Sequence, residues 1–298
     1  MTKNDFPQDG SISDFFHWIN ERQRMYLKKE AGKPWPWTDD PILRDYFFCN
    51  VYREQDTVTK WIAENWRNRK APPNIMIFNM IVARFFNWPP TLKSIGWTKD
   101  WEKKRTKVYW DLAERSNLGQ KIFSEAYLIA GTDLKGKSKI EGVIDRLDWA
   151  WEHRKEIADE ITGKINHGFE GEIVSLAKAW WCLQQIPGVA GFIAYEIVTD
   201  LRHTPVLQNA PDIMTWANPG PGAVRGLQRI YGRGPVRELG ALEFIRTLLE
   251  IAPKYTKLKL EMRDIEHSLC EMDKKLRIEQ AIREGRPVLG MRKYRRKE

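Results

Sequence analysis

The sequence predicts an all-α protein, and three observations predict it. Apolar residues recur at the three-to-four-residue spacing of a helix along nearly all of the 298 residues. No stretch alternates apolar and polar residues as a half-buried strand does, and no fixed-period repeat is visible. Prolines and capping residues punctuate the periodic stretches, as expected of helices packed on helices rather than on a sheet.

Taken in order, Ser13-Asp14 reads as the cap of a helix whose apolar side includes Phe15, Trp18, Ile19 and Met25. A proline-rich link, residues 32–38, follows. Asp40-Pro41 offers an acceptor at the cap and then a proline where its missing N–H is harmless. Helical patterns then cover 41–52, 54–68, 74–87 and 116–130, with breaks at Pro72-Pro73 and Pro89-Pro90. Further helices are expected over 139–163, 170–185, 191–201, 221–231, 237–252 and 257–283. The least regular stretches, 88–106 and 203–222, are candidate functional loops. No linker divides the chain, so residues 1–283 are expected to form one two-lobed helical domain, followed by a flexible basic tail over 284–298.

Composition narrows the function. Hydrophobic residues make up 42% of the chain, enough for a sizeable core, and charged residues make up 30%. No apolar run approaches the roughly 18 residues that a membrane span needs, and Met1–Gly10 lacks the apolar centre of a signal peptide. A cytoplasmic protein with reduced thiols is expected. The three cysteines have no CxxC spacing and the five histidines form no HxxxH pair, so neither a metal site nor a disulfide scaffold is expected. The net charge of +9 points to a polyanion partner. Residues 99–107 interleave five basic residues with Trp101, and residues 283–298 hold seven. The latter reads either as a phosphate-binding arm or as a solvated tail. Fourteen tryptophans serve mostly a core, and also suit a pocket that stacks an unpaired base.

The most informative segment runs from Ile186 to Leu227. An apolar helix enters it, Ile186-Pro187-Gly188-Val189-Ala190-Gly191 reverses the chain, and a second apolar helix follows, giving a hairpin over about 174–201. Proline and glycine permit the tight reversal, and the N–H groups of Pro187–Gly191 and the second helix's start are left to hold a DNA phosphate. The plainer reading is a turn between two packed helices. The order of residues resembles the helix-hairpin-helix DNA glycosylases. In them an aspartate in the base pocket follows the hairpin by about twenty residues, a position matched here by Asp212, with Asp200 a nearer rival. Asp212 reads equally as the cap of a short helix over Ile213–Ala217. The chain lacks the lysine of the bifunctional branch and an iron–sulfur cysteine cluster.

A second resemblance covers residues 13–283. Pro36-Trp37-Thr38-Asp39-Asp40-Pro41, Phe48 to Asp56, Asn218 to Leu227 and Asp264 to Glu271, in that order, resemble the phage thymine-hypermodification family. That family comprises α-glutamyl/putrescinyl thymine pyrophosphorylases, or amino acid:DNA transferases, and shares its helical domain with 5-hydroxymethyluracil DNA kinases. The resemblance implies a phage-infected host cell and double-stranded DNA carrying a modified thymine. An amino acid or polyamine would displace phosphate or pyrophosphate from phosphorylated 5-hydroxymethyluracil, with no cofactor.

Such chemistry needs a flipped base, cations for the leaving group and a carboxylate to take the amine proton. Arg53 and Arg225 are the candidate cations, Asp212 and Asp56 the candidate bases, and Trp37, Asn50 and Gly222 the candidate pocket residues. Asn50, Arg53 and Asp56 stand three residues apart, as on one helix face, which also suits a buried polar network. Gly220-Pro221-Gly222 is either a rigid turn or a source of N–H groups for phosphate. Glu266 and Cys270 read as packing residues.

Gly131 to Ser138 match the P-loop pattern, but no buried parallel strands surround them. Lys137 and Lys139 remain candidate phosphate contacts. Besides the transferase, the sequence leaves open a glycosylase or lyase, a non-catalytic DNA-binding partner of a kinase, and a kinase using residues 131–138.

Overall fold

A computed structural model describes residues 10–124, 137–171 and 173–294. In chain order it comprises α1 (Ile12–Glu30), α2 (Pro41–Asp45), α3 (Thr57–Ile62), α4 (Pro73–Phe86), α5 (Pro89–Ile95), α6 (Trp101–Asn117) and α7 (Lys139–Glu152). There follow α8 (Arg154–Ile161), α9 (Leu176–Leu183), α10 (Gly191–Leu201), α11 (Pro221–Tyr231), α12 (Arg233–Leu239), α13 (Ala241–Ile251) and α14 (Met262–Arg283). Among the described residues there is one isolated antiparallel bridge, Tyr46 with Lys293, and no strand. The fold is all-α, as the periodicity requires. No described helix is long and apolar enough to cross a membrane.

The single domain expected over 1–283 divides into two compact units. Residues 1–56 and 213–298 form the first, and 57–212 form the second. The first is organised around α14, against which α11, α13, α1 and α2 pack. Its core includes Phe15, Phe16, Ile19, Ile265, Leu269 and Met272. The second is organised around α4, whose residues from Met76 to Phe86 are all buried. A helix apolar on every side has to be surrounded, and α7, α8 and α10 pack around it.

Several boundaries differ from the sequence reading for local reasons. The first helix is capped by Ser11, with Asp14 closing a capping box from inside, so the start lies one turn earlier. The break expected at Pro89-Pro90 falls just before them, at Asn87-Trp88, between α4 and α5. The two prolines occupy the first turn of α5, where a missing N–H is harmless, and Asp100 caps α6, so 88–106 is largely helical. Of the helix expected over 116–130, residues 116–117 are the end of α6, 118–124 are not helical, and 125–130 lie outside the described residues. The stretch read as 139–163 is two helices broken at His153, and 237–252 is broken at Gly240. The stretch 54–68 is a 3-10 turn at Arg53–Gln55, then α3, then a π-helical turn at Ala63–Arg67.

The helix expected over 41–52 stops at Asp45, and the cause is not local. Phe47 N–H donates to the Arg292 carbonyl at 2.8 Å, and Tyr294 N–H to that of Asp45 at 3.1 Å. Tyr294 packs against Trp35, Trp37 and Phe47, while the Arg292 and Lys293 side chains lie over the rings of Phe47 and Tyr46. The tail expected to be flexible is therefore docked as far as Tyr294. Backbone hydrogen bonds to it replace those a longer α2 would make.

Candidate active site

The four segments that carry the second resemblance all belong to the first unit, and three of them meet on α14. Cys49 N–H donates to Glu271 Oε2 at 3.0 Å. The buried Arg22 guanidinium donates to the carbonyls of Cys49 (2.6 Å) and Asn50 (3.0 Å) and to Ser268 Oγ (3.2 Å). These bonds pin the irregular segment after α2 to one face of α14. Asn50, Arg53 and Asp56 do not share an α-helix face, because the segment is irregular apart from the 3-10 turn at Arg53–Gln55. A turn joins them instead. Asp56 Oδ1 accepts from Asn50 N–H (3.2 Å) and Nδ2 (3.1 Å), and Oδ2 accepts from Arg53 Nη1 at 3.0 Å.

The Cys49 sulfur, an Asp56 oxygen and a His267 ring nitrogen lie within 4.8 Å of one another. His267 Nε2 is buried and has no hydrogen-bond partner. Burial, and then the positive charges of Arg53, Arg22, Arg263 and Lys274, hold the imidazole well below its ordinary pKa, so it is neutral at pH 7. Burial first, then Glu271 and Asp56, push the Cys49 thiol up, and it is a thiol rather than a thiolate. Sulfur, carboxylate and imidazole also form a donor set in reach of a zinc-sized ion. Both Asp56 oxygens are committed to Asn50 and Arg53, however, and four cationic side chains bear on the imidazole while Glu271 and Asp56 bear on the sulfur.

An adjacent face of α14 carries the start of α11. Gly220 N–H donates to Glu266 Oε1 at 3.3 Å. A Cβ on Gly222 would stand 2.4 Å from Cys270 Sγ, so only glycine lets this turn rest on the helix. Burial pushes the Cys270 thiol up to about 12. Arg225 Nε donates to Asp273 Oδ2 at 2.9 Å, and Arg229 and Arg277 share the same buried carboxylate. Three guanidinium groups thus converge on one buried carboxylate. Trp37 sits in the aromatic cluster of Trp35 and Tyr294, its Nε1 donating to the Lys33 carbonyl at 2.8 Å. The first unit also has an open groove of about 600 Å³ between α1 and residues 253–258, edged by Arg24, Lys254 and Lys257.

The hairpin belongs to the second unit. α9 and α10 pack together, joined by residues 184–190. Pro187 and Gly188 are exposed at its tip, while Val189 is buried and its N–H donates to the Ile186 carbonyl at 3.0 Å. Trp180 Nε1 donates to the Gly191 carbonyl at 2.8 Å and fixes the second helix against the first. Gly188 has φ +75°, and a Cβ there would stand 2.2 Å from the Arg146 guanidinium. A cation thus lies against the hairpin tip, which the sequence did not single out.

Asp212 also lies in the second unit. Residues 213–217 form no helix, and the carboxylate accepts instead from the N–H groups of Leu176 (2.8 Å) and Ala177 (2.9 Å) at the start of α9. Asp212→Ala is expected to destabilise the protein by about 1 kcal/mol through loss of this cap, measured as a shift of the urea midpoint. No shift would show that Ser175 caps α9 alone.

Asp200, the rival, is fully buried and bonded to Arg84. Lys137 Nζ donates to Asp145 at 2.5 Å, and Lys139 Nζ lies 4.2 Å from the centre of the Phe123 ring. Ser138 caps α7 in a capping box with Glu141. The rest of the P-loop match, 131–136, lies outside the described residues.

Residues 10–284 match the family described as the helical domain of 5-hmdU DNA kinase. The 5-hmdU DNA kinase of Bacillus phage SP10 is 27% identical over 304 aligned residues, which cover 90% of this chain and 45% of that protein. The chain thus spans about half the length of the curated relative it matches. No solved structure matches significantly.

Proposed function

The chain belongs to the family of 5-hmdU DNA kinase helical domains, and from that membership we propose that it transfers an amino acid or amine onto phosphorylated 5-hydroxymethyluracil in DNA. The observation that carries the proposal is the surrounding of His267. A neutral imidazole with an unpartnered Nε2 stands beside Asp56 and Cys49, under the charges of Arg53, Arg22, Arg263 and Lys274. Transfer of an amine to a phosphorylated carbon needs these two features, an acceptor for a proton and cations for a departing phosphate.

In this reading Arg53 contacts the leaving phosphate, and Asp56 holds the Arg53 guanidinium while orienting Asn50. The arginine cluster at Arg225 receives a neighbouring DNA phosphate or the amino acid's carboxylate. The tip of the Pro187–Gly191 hairpin, with Arg146 against it, grips the backbone through N–H groups and charge, positioning the strand without reading its sequence. The base leaves the stack to reach the site. Asp212 keeps its capping role.

The experiment is to incubate duplex DNA carrying mono- or pyrophosphorylated 5-hydroxymethyluracil with the protein and a panel of amino acids and polyamines, then digest it to nucleosides for mass spectrometry. A nucleoside heavier by the amine, with one equivalent of phosphate or pyrophosphate released, is the expected result. Unchanged nucleosides with retained DNA binding would support a second reading, a non-catalytic partner of a kinase. That reading is favoured by the relative being a longer protein named as a kinase. Abasic sites would instead support base excision.

A further inference from the structure

We infer that Cys49 is a nucleophile that adds to C6 of the modified pyrimidine, with His267 as the base that takes the thiol proton. The inference rests on the transfer reading and assigns its covalent step. The problem it solves is chemical. The reacting carbon is the methylene on C5 of an electron-poor ring, and the leaving group departs readily only if the ring supplies electrons to expel it. A thiolate added at C6 does this by turning the ring into an enolate.

The structure favours Cys49 among the three thiols. Cys182 is buried in the second unit, and Cys270 packs against Gly222. Cys49 is partly exposed, and its sulfur lies within 4.8 Å of both the imidazole nitrogen and the Asp56 carboxylate. Its backbone is clamped on both sides, by Glu271 at the N–H and Arg22 at the carbonyl. A protonated thiol with a ring nitrogen of a neutral imidazole close by is the arrangement in which a base activates a nucleophile at the moment of attack.

The steps balance as follows. The thiol proton passes to a ring nitrogen of His267 as the Cys49 sulfur bonds to C6, and the C5–C6 double-bond electrons move onto O4 as an enolate. The enolate reforms the C4 carbonyl and breaks the bond from the methylene carbon to the phosphate oxygen, leaving an exocyclic methylene on C5. The amine nitrogen bonds to that carbon and regenerates the enolate. The enolate then re-forms the C5–C6 double bond and expels the Cys49 thiolate, which recovers its proton from His267. The amine's proton leaves with the phosphate. No oxidant or reductant is needed.

The test uses the full chain and DNA carrying phosphorylated 5-hydroxymethyluracil. With amine omitted, a protein–DNA adduct is expected on a denaturing gel, its mass mapping to the Cys49 peptide. Added amine should resolve it into aminated DNA. Cys49→Ser should lose the adduct and at least about a hundredfold in transfer rate, while Cys270→Ser keeps the adduct. Should Cys49→Ser fail to fold, wild-type protein suffices. Deuterium at C6 should raise the transfer rate slightly, because that carbon becomes tetrahedral on attack, and a normal or absent isotope effect would overturn the assignment. So would full transfer by Cys49→Ser, an adduct on Cys270, or one zinc ion per purified chain lost in Cys49→Ser. In those cases amine transfer by wild type stands, whereas absence of any transfer by wild type removes both readings.

Discussion

Asp200→Ala is expected to destabilise the second unit by about 3–5 kcal/mol, the loss seen when one partner of a buried ion pair is removed. The Asp200 carboxylate is fully buried and takes Arg84 Nε at 2.6 Å and Nη2 at 3.0 Å, with Arg67 Nη1 at 3.4 Å. The guanidinium of Arg84, itself 1% exposed, also donates to Thr59 and Asn87. The Glu196 carboxylate, 4.0 Å from Arg84 Nη1, is a more distant counter-charge, so removing Asp200 takes the nearest carboxylate from two buried arginines on α4 and the π-helical turn. Unfolding should begin roughly 10 °C lower in a thermal scan. The double variant Asp200→Leu with Arg84→Met should regain much of the loss, since an apolar replacement of both partners is often neutral. An unchanged Asp200→Ala midpoint would show that water or the backbone takes over the carboxylate's role. The same geometry explains why an aspartate so near the hairpin is structural: its oxygens are occupied by arginines and closed to solvent.

How much was legible in the sequence follows from the range of the interactions involved. α10 and α11 begin and end where expected, with Gly191 and Pro221 at their starts and Gly232 after the end of α11. The stretch 46–52 was misread because its backbone partners, residues 292–294, lie some 240 residues away. The helix that begins at the proline pair 89–90 was missed for a different reason: the residue that breaks a helix interior also begins one, and periodicity alone does not say which. In the site, Asn50, Arg53 and Asp56 were singled out together, and the structure joins them, though through a turn. His267 was passed over. Histidine pairs were sought at short spacing, whereas its neighbours, Cys49 and Asp56, lie more than 200 positions earlier. Asp212 shows the converse. Its spacing from the hairpin suggested a pocket, and its hydrogen bonds identify a cap for the helix that enters the hairpin.

His267→Gln is expected to lower amine transfer by about two to four orders of magnitude, the usual contribution of a positioned base, and also to change how stability depends on pH. The second effect tests the site without substrate. Folding lowers the His267 pKa well below its ordinary 6.5, through burial and then the nearby Arg53, Arg22, Arg263 and Lys274. Below about pH 6.5 the unfolded chain binds a proton at this residue that the folded chain does not, so the stability present above that pH is lost as the pH falls toward the lowered pKa. One such proton gives a slope on the order of 1 kcal/mol per pH unit. Glutamine carries no such proton, so between pH 6.5 and 5 the variant should lose less stability than wild type, measured as urea midpoints across that range. Parallel curves would mean that the imidazole is protonated or solvated in the folded protein, and the neutral base would be lost from the proposed mechanism. Divergent curves with unchanged transfer would leave the histidine buried and neutral but outside the chemistry. In the proposed mechanism the Arg53 and Lys274 charges that depress its pKa also face the departing phosphate. An anion bound there offsets them and raises the imidazole's basicity, so the base is strengthened by the substrate it serves.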